Sequence, residues 1–191
     1  MKNSRALRLS TFTACVLIVA TTFAAEIPSS KRAELQRIER ALGADVPRVL
    51  CLDDSFATGG QPTAEAYVKA AANGFRAVLS LRTNSEGVDM VLERARVESN
   101  RMRYFNIPVN SAAPRAEQAD EFLRIAREKT NHPMLVNCAS ANRVGAFMMI
   151  LRVVDQAWSE EKALEEAIKI GLASDVLRRF AADYLARHKV Q

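Results

Sequence analysis

The stretch LVNCASANRVGAFMM, Leu135 to Met149, joins a short apolar run to a helix-like tract through a polar turn. A run of large apolar residues is typical of a central strand that is covered on both faces. Within the turn, Cys138 and Arg143 lie five positions apart. A strand-to-helix turn offers an anion its backbone N–H groups and the positive end of the helix dipole. The stretch therefore predicts an anion-binding loop, and the alternative is a buried thiol beside a solvated charge.

Outside this stretch, strand-like and helix-like patterns alternate along the chain. Five segments read as strands: RVLCLDD, FATGGQP, FRAVLSLRT, MRYFNIPVN and PMLVNC. This alternation predicts an α/β fold with a mainly parallel central sheet flanked by helices, a three-layer sandwich with extra C-terminal helices. Such sheets bind ligands beyond the carboxyl ends of their strands. Cys138 is expected at one of those ends.

Seven tracts carry apolar residues at helical spacing, and two of them allow the inner face to be assigned. In GVDMVLERARVESN the apolar face is predicted to consist of Val88, Val91, Leu92 and Ala95. In RAEQADEFLRIAREK we expect Phe122, Leu123 and Ile125 to point inward.

The N-terminus has the order of a secretory signal, with a basic start, an apolar tract LSTFTACVLIVATTFAA and small residues before Glu26. We therefore expect a signal peptide at residues 1–25, a single domain at 26–191, and export to the bacterial periplasm or secretion. The apolar tract is short for a membrane span of about 20 residues. No stable membrane anchor is expected after cleavage, and an uncleaved anchor is the alternative.

Charge and metal-ligand patterns exclude other classes of function. Loss of Lys2, Arg5 and Arg8 with the signal lowers the formal charge from +5 to +2, so the basic character does not indicate a nucleic-acid partner. The acidic pair Asp53–Asp54 and the two histidines lack metal-ligand spacing, and we expect neither a metal nor a cofactor. Cys51 is predicted to be a buried strand thiol, or alternatively a redox partner of Cys138.

The blocks FATGGQPTAEAYVKAAANGFRAVLSLRTNSEG, YFNIPVN and LVNCASANRVGAF resemble the cysteine-dependent protein tyrosine phosphatase superfamily. More closely, they resemble the bacterial beta-lactamase-hydrolase-like phosphatase domain, a relative of dual-specificity phosphatases. The resemblance covers roughly residues 50–150 and implies a phosphatase-like domain acting on a phosphorylated protein or a small phosphomonoester. It implies that Cys138 attacks phosphorus to give a cysteinyl-phosphate and that Arg143 clamps the phosphate oxygens. The remaining phosphate-binding groups that it implies are the backbone of Ala139, Ser140, Ala141 and Asn142, and Arg82 as a second positive group.

The loop departs from the usual pattern of this superfamily. Asn137 occupies the position of a His, four residues instead of five separate the Cys from the Arg, and Ala141 replaces a Gly. If position 141 needs a positive φ, alanine is strained there by about 1 kcal/mol. Val144 stands where many relatives have a Ser or Thr that helps the thiolate to leave.

The general acid of the family is also missing from its usual place, because the IPV block is followed by Asn110 and Ser111 instead of an Asp. Glu117 and Asp120 on the next helix are the candidate replacements. Loss of general acid catalysis costs about 10²–10⁴-fold in rate, and aryl phosphates, with good leaving groups, are affected least.

The sequence is also compatible with two other functions. The short loop also occurs in rhodanese-type sulfurtransferases, which would carry a persulfide on Cys138. The departures at Asn137, Ala141, Val144 and Asn110 are also compatible with a catalytically impaired module that binds phosphate or another oxyanion.

Overall fold

The computed structural model describes residues 28–188, so the predicted signal peptide at 1–25 lies outside the described residues. Five strands and seven α-helices alternate along this range. In chain order they are α1 (Ser29–Leu42), β1 (Leu50–Cys51), β2 (Phe56–Gly59), α2 (Ala64–Ala72), β3 (Ala77–Ser80), α3 (Met90–Ser99), β4 (Arg103–Asn106), α4 (Ala116–Arg127), β5 (Met134–Asn137), α5 (Asn142–Gln156), α6 (Glu160–Ile170) and α7 (Asp175–His188). None of the helices within 28–188 has the length and apolar character needed to cross a membrane.

The strands form one sheet in the order β1-β2-β5-β3-β4. The pairs β2–β5, β5–β3 and β3–β4 are parallel, and only the short β1 runs antiparallel to its neighbour. The prediction of a mainly parallel sheet is confirmed. Because β5 is the middle strand, the loop that follows it lies between the loops that follow β2 and β3.

Two apolar cores cover the two faces of the sheet and make it the middle of three layers. One core joins alternate strand residues such as Leu79 and Val136 to α4, α5, α6 and α7. The other joins Val78 and Leu135 to α1, α2 and α3. The predicted three-layer sandwich with additional C-terminal helices is confirmed, as is the inward orientation of Phe122, Leu123 and Ile125 on α4.

The predicted apolar face of α3 is wrong. The residues that this helix buries are Glu93 and Val97, whereas Val91 is 80% exposed and Leu92 is 44% exposed. Val88 precedes the helix, and Ala95 is exposed. The physical reason is that the hydroxyl groups of two buried tyrosines face α3, and a carboxylate satisfies them where an aliphatic side chain cannot.

The C-terminal helices hold the start of α5 in place. Gly145 allows this close approach, because a Cβ at that position would lie 2.7 Å from the Ala167 carbonyl oxygen and 2.9 Å from Cβ of Leu172. The Asn142 side-chain oxygen accepts hydrogen bonds from the amides of Ala173 (3.1 Å) and Ser174 (3.3 Å) in the connection between α6 and α7. The segment between α6 and α7 thus stabilises the loop between β5 and α5.

Candidate active site

Cys138 directly follows β5 and faces the core formed by α4 to α7, with 1% of its surface exposed. Its amide donates to the Gly59 carbonyl oxygen (3.3 Å), and the Gln61 amide donates to the carbonyl oxygen of Ala139 (3.3 Å). Residues 139 and 140 are exposed above the thiol. A Cβ on Gly60 would lie 3.0 Å from the Ala139 carbonyl oxygen, so the glycine pair after β2 lets this backbone pass close behind the loop.

Ala141 has φ 66° and ψ 0°, the left-handed conformation, and it is the N-cap residue of α5. This conformation costs a non-glycine residue about 1–2 kcal/mol. The positive φ agrees with the glycine that the family pattern has at this position. No side chain caps α5. Its first-turn N–H groups and the positive end of its dipole are therefore available to an anion at the loop.

The guanidinium of Arg143 is buried and held by three neighbouring segments. Nη1 donates to the carbonyl oxygens of Leu81 (2.9 Å) and Val109 (2.8 Å) and to Oε1 of Glu86 (2.7 Å). Nη2 donates to Oε2 of Glu86 (2.7 Å). These bonds leave Nε–H and the second N–H of Nη2 for the loop interior, since a guanidinium has five N–H groups.

Arg143 has Cys138, five positions before it in the chain, among its electrostatic neighbours. Burial lowers the pKa of Arg143, but its hydrogen bonds and charge interactions with Glu86 and Cys138 more than offset this, and the pKa rises above its ordinary value. The arginine is therefore a permanent positive charge beside the sulfur. A fixed positive charge at this position favours a bound phosphate.

Glu86 is the site residue that the sequence analysis did not identify. Its hydrogen bonds with Arg143, reinforced by the Thr83 amide and hydroxyl, lower its pKa to about 2 despite partial burial. It is therefore ionised at neutral pH and is a poor proton donor. Its position was the feature of the sequence that could have indicated a role in the site. Glu86 is an acid four residues after Arg82, and it follows the carboxyl end of a strand, where ligands bind in sheets of this kind.

Arg82 lies behind this ion pair instead of at the loop itself. Its Nε is 2.7 Å from Oε2 of Glu86, Nη2 donates to the Glu86 carbonyl oxygen (2.8 Å), and Nη1 donates to Oε1 of Gln61 (3.1 Å). The structure thus places Arg82 as a support for Glu86. With two arginines and one glutamate, this group carries one excess positive charge before any thiolate is counted.

The two candidate general acids lie on the side of α4 that faces α7. Glu117 is exposed and lines an open cleft of about 600 Å³ together with residues of α7. Asp120 accepts a hydrogen bond from the Tyr184 hydroxyl (2.5 Å). In the described part of the chain, neither carboxylate forms a hydrogen bond or ion pair with Cys138 or Arg143.

Position 110 is better placed than either of these acids. Val109 is tied to the site because its carbonyl oxygen accepts from Arg143. The Asn110 side-chain oxygen accepts from the Ala112 amide (3.0 Å), a turn that an aspartate forms equally well. Asn110 therefore stands next to the anchored arginine but lacks an acidic proton.

Asn137 and Val144 flank the loop and are both fully buried. Both side-chain polar atoms of Asn137 lack a hydrogen-bond partner among the protein groups of residues 28–188. Val144 packs in the same core as Cys138. Neither side chain supplies the hydroxyl or imidazole that related loops carry.

The two cysteines within 28–188 are free and lie on opposite faces of the sheet. Cys51 is on β1, which is separated from β5 by β2. Two strand spacings amount to about 9.6 Å, beyond the ~7 Å limit for Cα atoms in a disulfide. Burial, with a contribution from Glu39, raises the pKa of Cys51 to about 12. The geometry supports a buried strand thiol and argues against an intramolecular Cys51–Cys138 disulfide.

The acidic residues considered for a metal have other partners in the structure. Asp53 accepts from the amides of Ser55 (2.8 Å) and Phe56 (3.0 Å) and pairs with Arg152 (2.7 Å). Asp54 pairs with Lys31 (2.7 Å). Across residues 28–188, no group of three or more His, Cys, Asp or Glu side chains is arranged to hold a metal ion.

Comparison with known proteins identifies the class. A protein-family model described as DSP-PTPase phosphatase fused to NAD+ kinase matches residues 30–177. This range covers most of the chain and includes the loop, both arginines and Glu86. The chain belongs to this family of dual-specificity-type protein tyrosine phosphatases. No match was found among curated proteins.

Solved structures agree on the fold. A DUF442 phosphatase-family protein from Shewanella putrefaciens CN-32 superposes with a TM-score of 0.67 at 18% identity, covering 78% of this chain and 97% of that one. TpbA of P. aeruginosa, solved as a Cys-to-Ser variant bound to phosphotyrosine, superposes with a TM-score of 0.58 at 21% identity. The match covers 72% of this chain and 82% of TpbA. The core catalytic domain of the PP-IP phosphatase SIW14 from S. cerevisiae, bound to citrate, superposes with a TM-score of 0.63 at 15% identity. The match covers 73% of this chain and 87% of that domain.

Proposed function

We propose that this protein is an exported phosphatase that hydrolyses phosphate monoesters through a cysteinyl-phosphate on Cys138. The observation that carries the proposal is the position of Cys138 at the end of β5, beside the uncapped start of α5, where three separate segments hold Arg143 in place. Positioning and charge stabilisation are most of what phosphoryl transfer requires.

In the first step, the Cys138 sulfur attacks phosphorus and the bond from phosphorus to the ester oxygen breaks. Arg143 and the amides at the start of α5 stabilise the equatorial oxygens. The leaving oxygen departs with the bonding electron pair. In the second step, water attacks phosphorus, the P–S bond breaks, and inorganic phosphate and the thiolate are released.

The missing acid at position 110 indicates the preferred substrate class. A phenoxide leaves without full protonation, whereas an alkoxide needs a proton. We therefore propose an aryl phosphate such as phosphotyrosine as the preferred substrate. The phosphotyrosine complex of TpbA, a protein with the same fold, makes this compound a sensible probe.

The test is phosphate release from an aryl phosphate by the purified full-length chain under reducing conditions, with Cys138→Ser as the comparison. The proposal requires turnover in the wild type and at least a 10³-fold loss in the variant. Equal rates in the two proteins would disprove the nucleophilic role. Tungstate binding without turnover would instead support the oxyanion-binding module, and a Cys138 persulfide formed from thiosulfate would support the sulfurtransferase.

Export rests on the N-terminal sequence and needs its own test. Fractionation of producing cells, followed by N-terminal sequencing of the recovered protein, should give a periplasmic or secreted chain that begins near Glu26. Recovery in the cytoplasm with residue 1 intact would refute this part of the proposal.

A further inference from the structure

We propose that Glu93, a buried carboxylate on α3, is a positioning residue that fixes Arg143 through a hydrogen-bonded chain of Gln61, Arg82 and Glu86. The inference deepens the proposed function and rests on it, since it assigns the residue that aligns the phosphate-binding arginine. It starts from a side chain that the reaction itself does not use.

The carboxylate of Glu93 is 3% exposed and is held by neutral donors. Oε1 accepts from Nε2 of Gln61 (2.5 Å) and from the Tyr67 hydroxyl (2.7 Å), and Oε2 accepts from the Tyr104 hydroxyl (2.5 Å). Burial, together with the nearby Glu93, raises the pKa of both phenols, so they remain hydrogen-bond donors. Within 28–188 no salt bridge involves Glu93.

The Glu93 carboxylate makes the shorter of the two bonds that orient the Gln61 amide, since Nε2 donates to Glu93 Oε1 (2.5 Å) and also to the Pro62 carbonyl oxygen (3.3 Å). The Glu93 oxygens accept all three of their hydrogen bonds, so Gln61 presents its NH₂ group to Glu93. The amide oxygen is then turned toward Arg82, where Oε1 accepts from Nη1 (3.1 Å). With the amide reversed, its NH₂ group would face the N–H groups of Arg82.

The remaining links connect Arg82 to the catalytic loop. Arg82 donates a hydrogen bond to the Glu86 backbone carbonyl oxygen (2.8 Å), and its Nε lies 2.7 Å from the Glu86 carboxylate as an ion pair without hydrogen-bond geometry. Glu86 in turn holds Arg143 at both carboxylate oxygens (2.7 Å each). Each member contacts the next, so the chain is continuous from α3 to the first turn of α5.

Packing alone does not account for a carboxylate at this position. An ionised side chain buried away from water is unfavourable unless its oxygens are hydrogen-bonded, and here three donors from three different segments are used for that purpose. On the same helix, Val91 and Leu92 are exposed. The arrangement is consistent with a role in orientation of the neighbouring polar groups.

The test compares full-length wild type with Glu93→Gln, Gln61→Leu and the double variant. Glu93→Gln keeps the shape but removes the acceptor-only character, so Gln61 can reverse. We expect kcat/KM for an aryl phosphate to fall about tenfold, mainly through kcat, because Arg143 acts on the transition state. Tungstate affinity, measured by calorimetry, should fall by a similar factor.

The double variant distinguishes a positioning role from a merely structural one. If Glu93 acts through Gln61, Glu93→Gln should have almost no further effect in the Gln61→Leu background. Additive losses, or a folded Glu93→Gln protein with wild-type kcat and tungstate affinity, would overturn the inference. Val97→Ala is the matched control, since it also removes a buried contact of α3 and should lower the melting temperature with kcat/KM unchanged.

Two further outcomes separate this inference from the proposed function. A wild type without turnover would remove the proposed function, and the tungstate affinities of the same four proteins would still decide whether Glu93 positions Arg143. If Glu93→Gln does not fold, Gln61→Leu alone must show the tenfold loss. A folded Gln61→Leu protein with normal kcat and tungstate affinity would refute the chain.

Discussion

Glu86 and Arg143 form a two-point ion pair, with Nη1–Oε1 and Nη2–Oε2 distances of 2.7 Å, between residues 57 positions apart in the sequence. The pair connects the segment after β3 to the first turn of α5. It restricts the guanidinium to one plane and one direction, which is what bidentate recognition of phosphate requires.

Replacement of Glu86 by Gln should lower kcat/KM for an aryl phosphate by about 100-fold, because small displacements of a catalytic group cost rates of this order. Steady-state kinetics measures the effect. Glu98→Gln is the control, since Glu98 also pairs with an arginine but on the exposed face of α3 (3.1 Å), and it should retain full activity. Equal activity in the two variants would contradict the role assigned to Glu86.

The same pair predicts a loss of stability in acid. The pKa of Glu86 is lowered from 4.5 to about 2 in the folded protein, so its contribution is complete above about pH 5 and is lost as pH falls toward 2. With the carboxylate a quarter exposed, solvent screening limits the contribution to about 2 kcal/mol. Denaturant unfolding at pH 7 and pH 3 measures it. The change in unfolding free energy between the two pH values should be smaller in Glu86→Gln, and an unchanged difference would argue against the ion pair.

Introduction of an acid at position 110 should restore protonation of the leaving group. We expect Asn110→Asp to raise kcat on alkyl phosphates by at least about 10-fold, and at most by the roughly 10²–10⁴-fold typical of a general acid, with a smaller gain on aryl phosphates. Ser111→Asp is the matched control one residue further from the carbonyl that Arg143 binds. An alkyl-to-aryl rate ratio that does not change in Asn110→Asp would show that this position does not reach the leaving oxygen.

If the proposed cysteinyl-phosphate forms, Val144 predicts that it breaks down slowly, since no hydroxyl follows Arg143 to assist the departing thiolate. Rapid-mixing experiments with an aryl phosphate should show a burst of phenol release followed by a slower steady rate. Val144→Thr should reduce the burst and raise the steady rate several-fold, while stability falls by about 1–2 kcal/mol for burial of a hydroxyl. Val153→Thr, on the same helix and only partly buried, should leave the burst unchanged.

The two left-handed alanines that flank α5 should differ in how much a glycine stabilises the protein. Ala157 has φ 53° at the exposed C-terminus of α5, and Ala157→Gly should stabilise the protein by about 1 kcal/mol. Ala141→Gly should change stability by only a few tenths, because the methyl group that it removes is fully buried and contributes about 0.8 kcal/mol. Thermal unfolding of both variants tests the difference. A larger gain at Ala141 than at Ala157 would contradict it.

The sequence was sufficient for the fold and for the loop because their signals are local. Strand and helix patterns alternate, and both Cys138 and Arg143 lie within one strand–turn–helix segment. The link between Glu86 and Arg143 depends on how three strand ends meet, and no local pattern encodes it. Position in a loop at a strand's carboxyl end was the available hint.

The polar interior of α3 shows a second limit. The spacing of apolar residues predicted that Val91 and Leu92 would face the core. The structure instead buries Glu93, whose carboxylate accepts hydrogen bonds from tyrosine hydroxyls on α2 and β4. Similarly, Asp120 was a reasonable candidate acid from its position after the β4 loop, yet its partner in the structure is Tyr184, 64 residues further along the chain. In each case, a contact between distant segments decides the outcome.

The separation of Cys51 and Cys138 on opposite sides of the sheet has a consequence for the lifetime of the enzyme. A thiolate oxidised to a sulfenic acid survives when a neighbouring thiol captures it as a disulfide, and otherwise it proceeds to irreversible acids. The sheet keeps Cys51 away from this reaction. Recovery from oxidant damage then depends on reductants supplied from outside the molecule, so the abundance of small thiols around the protein would set how long it stays active.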